Sequence, residues 1–151
     1  MIAQFNNLSD IEAVQMIDAI ALITILIGGA DDDLDPAEIA WSKKLTAYRA
    51  FTSPEILQDY YKEVGKDYPE RLEALIKSLP DTAEKRTPVI SERLAKLNDS
   101  FSKLDAEFAN ALHGSFVSFA HHVAKESGGI LRFFSVGSEE KKLMDLPMLE
   151  I

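Results

Sequence analysis

"AVQMIDAIALITILI", residues 13–27, decides the fold. A run this apolar is either a membrane span or the central helix of a water-soluble bundle. It carries Gln15, Asp18 and Thr24 and falls short of the ~20 residues that a hydrocarbon core requires. A helix that is hydrophobic nearly all round must be covered all round, so the segment is read as a buried core helix and no membrane insertion is expected. "SDIE" in front of it places Ser9 as N-cap and Glu12 three residues on, a capping box. Gly28-Gly29 behind it offers a terminator with positive φ.

The rest of the chain must therefore supply helices to cover this one. Strand-like alternation is nowhere sustained, and the prolines stand where helices start or stop. "DPAE" opens a second helix, with Asp35 capping, Pro36 first and Glu38 completing the box. It runs to about Phe51, with Ile39, Leu45 and Tyr48 inward and Trp41 at the margin. "TSPE" repeats the punctuation, with Ser53 as cap and Pro54 first. The third helix carries Ile56, Leu57, Tyr60 and Tyr61 and stops near Gly65. A fourth begins at Asp67 or Tyr68, turns Leu72, Leu75, Ile76 and Leu79 inward, and closes at Pro80.

From Pro88 the apolar spacing alternates steps of four and three: Ile90, Leu94, Leu97, Phe101, Leu104, Phe108, Ala111. That is a heptad seam, continued in a second phase by Leu112, Phe116, Phe119 and Val123. Either one helix runs from Pro88 to Lys125, with a bend at Gly114, or two helices meet near "NDS", residues 98–100; the pattern crosses Asn98 without a slip, which favours the first. A last short helix spans about Ser138 to Leu146. The apolar tail "LMDLPMLEI", residues 143–151, is expected to dock on the bundle or on a neighbour. The fold class is thus all-α, a bundle of about seven helices forming one domain over residues 1–151.

Composition narrows function. The 151 residues hold 46% apolar and 27% charged side chains, a net charge of −9 and no cysteine. The negative charge argues against nucleic acid as a partner, because phosphate binding needs a basic patch. Disulfides, thiolate metal sites and cysteine nucleophiles are excluded outright. The absence of a basic n-region before an apolar stretch argues against a signal peptide, and a cytoplasmic location is expected.

Acidic residues concentrate in "GGADDDLDPAE", residues 28–38. Carboxylates at Asp31, Asp33 and Asp35 alternate as in a hard-cation loop. An EF-hand does not fit, because Pro36 stands where that loop needs Gly and Ser42 where it needs Glu. A looser oxygen site for calcium or zinc remains, drawing on Asp31, Asp32, Asp33, Asp35 and Glu38. Capping and the helix dipole already account for Asp35 and Glu38. Asp31 to Asp33 are therefore the acids left to explain, and a solvated turn is the plainer account of them.

"LDPAE" (34–38) has the layout of "VGSEE" (136–140), and "IGGADDD" (27–33) can be laid on "VAKESGG" (123–129). Such a repeat implies two pseudo-symmetric helix–loop–helix units. "ALITILIGGADDDLDPAEIAWSKKL", together with "HHVAKESGG" and "VGSEEKKLM", resembles the two units of the tellurite-resistance TerB-like family. Asp31-Asp32 stand where that family carries Asp-Gly, and Ser127-Gly128 stand at the matching place of the second unit. The resemblance implies a helical bundle with acids near its turns, divalent-cation binding, a role in metal-ion stress or phage defence, and no enzymatic activity. It also implies a helper role beside membrane or signalling partners.

Other candidates weigh less. His121 and His122 point about 100° apart on a helix; His122 with Glu126 has i, i+4 spacing, and His113 stands alone. Glu139 and Glu140 could join the acidic loop if the two turns meet, although capping at Ser138 explains them as well. No hydrolase, P-loop or zinc-protease motif is present, and no Glu-x-x-His supports a di-iron bundle. Arg132, Phe133 and Phe134 in the 130–134 loop, or the heptad seam, offer a contact surface. The alternative function is thus a metal-independent interaction or scaffold module with a protein partner or a second copy.

Overall fold

The computed structural model describes residues 1–29, 36–126 and 142–151, and only the backbone of Ala37 and Glu38. Among these residues the structure is all helical. A 3-10 turn at Ala3–Phe5 leads into α1 (Asp10–Gly28), α2 (Pro36–Thr52), α3 (Glu55–Gly65), α4 (Tyr68–Ser78), α5 (Ala83–Ala95), α6 (Leu97–Phe101) and α7 (Ala106–Glu126).

Helix α1 is the axis of the bundle. It packs against every other α-helix, and from Ala19 to Gly28 each residue is buried. It is the one described helix long and apolar enough to cross a membrane, yet 72% of its apolar window lies inside the protein. That is the packing of a core helix. Its start follows the sequence: Glu12 N–H donates to Ser9 Oγ at 3.2 Å, and Ser9 N–H to Glu12 Oε2 at 2.8 Å. Its end does not. Gly29 has φ −95°, not the left-handed conformation expected. Its N–H completes the helical pattern onto Ile25 O at 2.9 Å, and its carbonyl accepts from Arg86 Nη2 at 2.8 Å. An arginine supplies the donor that a left-handed turn would otherwise bring round.

Helix α2 opens at Pro36, as its sequence requires, but turns the less expected face inward. Ser42, Thr46 and Arg49 are buried, while Tyr48 is 64% exposed. The inward hydroxyls are satisfied locally and across the core. Ser42 Oγ donates to Ile39 O at 2.8 Å, and Thr46 Oγ1 to Ser42 O at 2.7 Å. Tyr68 of α4 donates to Ser42 Oγ at 3.1 Å and shares a hydrogen bond with Thr24 of α1 at 2.9 Å. With partners arranged this way, burying a polar stripe carries little penalty. Tyr48 is thereby displaced to the surface.

Two helix starts differ in detail from the punctuation. Pro54 is the cap of α3, extended at ψ 145°, and not its first residue; Ser53 contributes its carbonyl, which accepts from Gln58 Nε2 at 3.0 Å. Helix α5 begins ahead of Pro88, at Ala83, with Thr82 Oγ1 accepting from Lys85 N–H at 3.4 Å. Pro88 lies inside that helix, where it forfeits a single backbone bond near the first turn.

The seam after Pro88 is buried as its spacing implies: Ile90, Leu94, Leu97, Phe101 and Phe108 all belong to the core. The backbone beneath it is not one helix. Lys96 keeps helical angles between α5 and α6, so the chain does pass Asn98 with little interruption. The break falls at 102–105. There Leu104 N–H bonds Phe101 O at 3.1 Å, and Asp105 Oδ1 accepts from Glu107 and Phe108 N–H at 3.0 and 3.2 Å. An aspartate placed to cap starts a new helix even when the apolar rhythm continues through it. Gly114 then lies within α7 without ending it.

Aromatic edges tie the layers together. Phe5 meets Tyr60 and Phe108 edge-on at 6.3 and 6.2 Å, and Phe101 meets Phe116 at 5.9 Å. The tail docks on this bundle: Leu146 and Leu149 are buried, and Asn98 holds the backbone at two points. Its Nδ2 donates to Met148 O at 2.8 Å, and its Oδ1 accepts from Glu150 N–H at 2.9 Å. Leu146 adopts φ 49°; the left-handed backbone costs a leucine about 1 kcal/mol, offset by about 2 kcal/mol from burying its side chain. Of the last expected helix, Ser138 to Leu146, residues 138–141 lie outside the described residues, as does the loop of the second expected unit; from Lys142 the chain is helical for two residues and then turns.

Candidate functional site

The acidic stretch follows a helix end that is held in place and precedes the start of α2. Residues 30–35 and the Glu38 side chain are outside the described residues, and with them the placement of Asp31, Asp32, Asp33, Asp35 and Glu38. Their frame is described. On one side, Gly29 is buried at the end of α1, with its carbonyl held by Arg86. Arg86 is itself 5% exposed and also donates from Nη1 to Asp81 O at 2.8 Å. It thereby ties the end of α1 to the α4–α5 turn, with a fixed positive charge at the foot of the acidic stretch. On the other side, α2 begins at Pro36 with its N-terminal dipole facing back along the chain.

The donor chemistry of this stretch fits a hard cation. Between Gly28 and Glu38 the sequence offers carboxylates and carbonyls but no histidine and no cysteine. Oxygen-only sets suit calcium or magnesium, whereas zinc favours nitrogen and sulfur. Among the described residues no group of three or more His, Asp or Glu side chains could hold a metal ion. Glu139, Glu140, Arg132, Phe133 and Phe134 also lie outside the described residues.

The histidines of α7 take other roles. His122 does not pair with Glu126; its Nδ1 lies 3.0 Å from Arg49 Nη2. Burial and the Arg49 charge beside it hold its pKa below the ordinary 6.5, so the ring is neutral and accepts this bond. His121 Nε2 reaches Asp145 Oδ1 of the tail at 2.8 Å. His113 has its pKa lowered by burial, and its Nε2 is buried without a hydrogen-bond partner among the described residues.

Sequence reasoning passed over a polar group with many partners among the described residues. Arg49, in the last turn of α2, is 8% exposed. Its Nη1 donates to Ser115 O and Ser115 Oγ, each at 3.1 Å, and to Tyr61 OH at 3.3 Å. Its Nη2 donates to Ser118 Oγ at 3.1 Å. Tyr61 and Ser115 are hydrogen-bonded to each other. The guanidinium carbon sits 5.8 Å from the Tyr61 ring centre and 5.3 Å from that of Phe119. A signal was present: Ser42, Thr46 and Arg49 share one helical face, as do Ser115, Ser118 and His122, and two polar stripes of matching period can be buried against each other.

No carboxylate pairs with Arg49 among the described residues; the ion pairs there are made by other groups, such as Arg71 with Asp18 at 2.8 Å and with Asp67 at 3.0 Å. Comparison with protein-family models, with curated proteins and with solved structures gives no match to this chain.

Proposed function

We propose that this chain is a non-enzymatic, TerB-like module of a cytoplasmic stress response. In this reading its acidic turn, Asp31, Asp32 and Asp33 with Asp35 and Glu38 beside them, takes up a divalent cation. The observation that supports it is the anchoring of the end of α1, where the acidic stretch begins. Helix α1 ends buried, with its final carbonyl pinned at 2.8 Å, and α2 begins two residues after Leu34. A stretch of six residues, 30–35, that leaves a fixed helix end has less freedom to lose on binding an ion, which favours affinity. Calcium is the better candidate on donor chemistry, zinc the poorer.

Binding only the folded state raises its melting temperature. Titration with calcium is therefore expected to shift Tm upward, and Asp31→Asn with Asp33→Asn to remove the shift. An unchanged Tm with every divalent ion at millimolar concentration overturns the reading.

A second reading, an interaction module without metal, draws on a different observation. Trp41, Leu45, Tyr48 and Phe51 follow one another along α2 at helical spacing. Trp41 and Leu45 are only partly buried, and Tyr48 and Phe51 are 64% and 79% exposed. The heptad seam, by contrast, is taken up by the protein's own core. Light scattering after size exclusion distinguishes the two readings: a dimer that persists in chelator and is lost in Tyr48→Glu with Phe51→Glu favours the second.

A further inference from the structure

A buried charge needs a counter-charge or a costly substitute for one. Taking a guanidinium out of water costs several kcal/mol even after relaxation. Arg49 is nine-tenths buried, and each of its side-chain partners among the described residues is neutral: two serines, a tyrosine and the neutral ring of His122. The aromatic faces of Tyr61 and Phe119 and the C-terminal end of α2 offset part of the charge. None of them carries a full negative charge.

The two ends of the guanidinium differ. Nη1 points inward to Tyr61 and Ser115, both buried. Nη2 points to Ser118 and His122, both exposed. Ser118, His122 and Lys125 lie along one face of α7, each a helical turn from the next. Arg49 and Lys125 act on His122 as positive charges, Glu126 is the acid that faces it, and the neighbouring His121 is bonded to Asp145 of the tail at 2.8 Å. In a chain of net charge −9 this is a local concentration of positive charge with hydrogen-bond donors around it.

We propose that Arg49 Nη2, Ser118 Oγ, the His122 ring and the Lys125 ammonium form a binding site for a tetrahedral oxyanion of the phosphate class. The guanidinium hydrogens now given to Ser118 and His122 turn to the anion. The Ser118 hydroxyl rotates from acceptor to donor. His122 takes one proton from solvent at Nδ1 and donates it in turn, so binding is coupled to uptake of that proton. Donors converging from separate directions suit a tetrahedral anion better than a planar carboxylate, which prefers the two parallel bonds of a guanidinium fork.

The test uses the full chain, metal-free, with inorganic phosphate as probe. Histidine ring resonances are followed by NMR across pH, with and without phosphate at tens of millimolar. Binding is expected to raise the His122 pKa, to leave His113 unmoved, and to strengthen as pH falls through the histidine range. His122→Gln removes one charge-assisted bond and is expected to weaken binding about tenfold. Ser118→Asp builds a negative charge into the protein beside Arg49. It is expected to raise Tm, as any counter-charge to a buried arginine would, and to abolish the phosphate response, which only an anion site shows. Repeating the titration with phosphoserine separates free from esterified phosphate, the tighter binder naming the source. A His122 titration indifferent to phosphate in the folded wild-type chain overturns the proposal, as does a Ser118→Asp variant that still responds fully.

Discussion

Arg86 reaches across the bundle to Gly29, its Nη2 donating to the glycine carbonyl at 2.8 Å from 57 residues further along the chain. That contact sets where α1 ends and where the acidic turn starts. Arg86→Met removes the donors to Gly29 O and Asp81 O together. With charged hydrogen bonds contributing about 1.5–3 kcal/mol each, urea unfolding is expected to show a loss of about 3 kcal/mol. Arg86→Lys keeps the charge but not the fork, and an intermediate loss is expected. A loss below the uncertainty of the measurement would mean that α1 terminates without this arginine.

Gly114 is exposed within α7, and a methyl group built on it meets nothing within 4 Å. Its backbone is helical. Gly114→Ala is expected to stabilise the protein by about 0.5–1 kcal/mol, from restricting the unfolded chain and from helix propensity. A decrease in Tm would show that the glycine serves a contact beyond this chain.

Tyr68 links α4 to both α1 and α2 through one hydroxyl. Burial pushes its pKa above the ordinary 10, with the Ser42 and Thr24 bonds working the other way. Tyr68→Phe leaves two hydroxyls to their local carbonyls, Thr24 to Ile20 O at 2.9 Å and Ser42 to Ile39 O. Because both keep a partner, the cost is expected to stay near 1 kcal/mol. A loss several times larger would mean that the hydroxyl chain determines how α2 is seated.

Acid should destabilise the fold through two histidines. His122 and His113 both have folded pKa values below the ordinary 6.5, chiefly through burial. A depressed pKa means that the unfolded chain binds more protons, so stability rises with pH across this range. The contribution is complete above 6.5 and is lost as pH falls from there through the folded pKa values. Tm measured in phosphate-free buffer should therefore be level above neutrality and decline below pH 6.5, with a shallower decline in His122→Gln. An unchanged slope in that variant would remove His122 from the account.

Much of the architecture could be read from the sequence because it rests on short-range chemistry. Ser9 and Glu12 cap α1 as their spacing requires, and the seam from Ile90 to Phe108 is buried as its rhythm requires. What escaped depends on pairing between distant residues. The inward face of α2 is polar because Tyr68, Tyr61 and Ser115 are there to receive it, which no local pattern in α2 announces. Asp105 starts α7 inside an unbroken apolar rhythm, since periodicity reports which face is buried and not where the backbone turns. Gly29 ends a helix without a left-handed turn because Arg86 comes from another part of the chain. The acids at 31–33 stand out in composition, but a cation site is a matter of geometry, which spacing alone does not determine.

The central place of α1 has a consequence for biosynthesis. The ribosome makes this helix before any of the helices that cover it, and Asp18 before the Arg71 that neutralises it, 53 residues later. Once it leaves the ribosome, and until those helices follow, the nascent chain displays a continuous oily rod to chaperones, to the targeting machinery and to other nascent chains. The segment that gives the finished protein its interior is thus its greatest exposure while it is being made, and the rate at which α4 to α7 follow sets how long that exposure lasts.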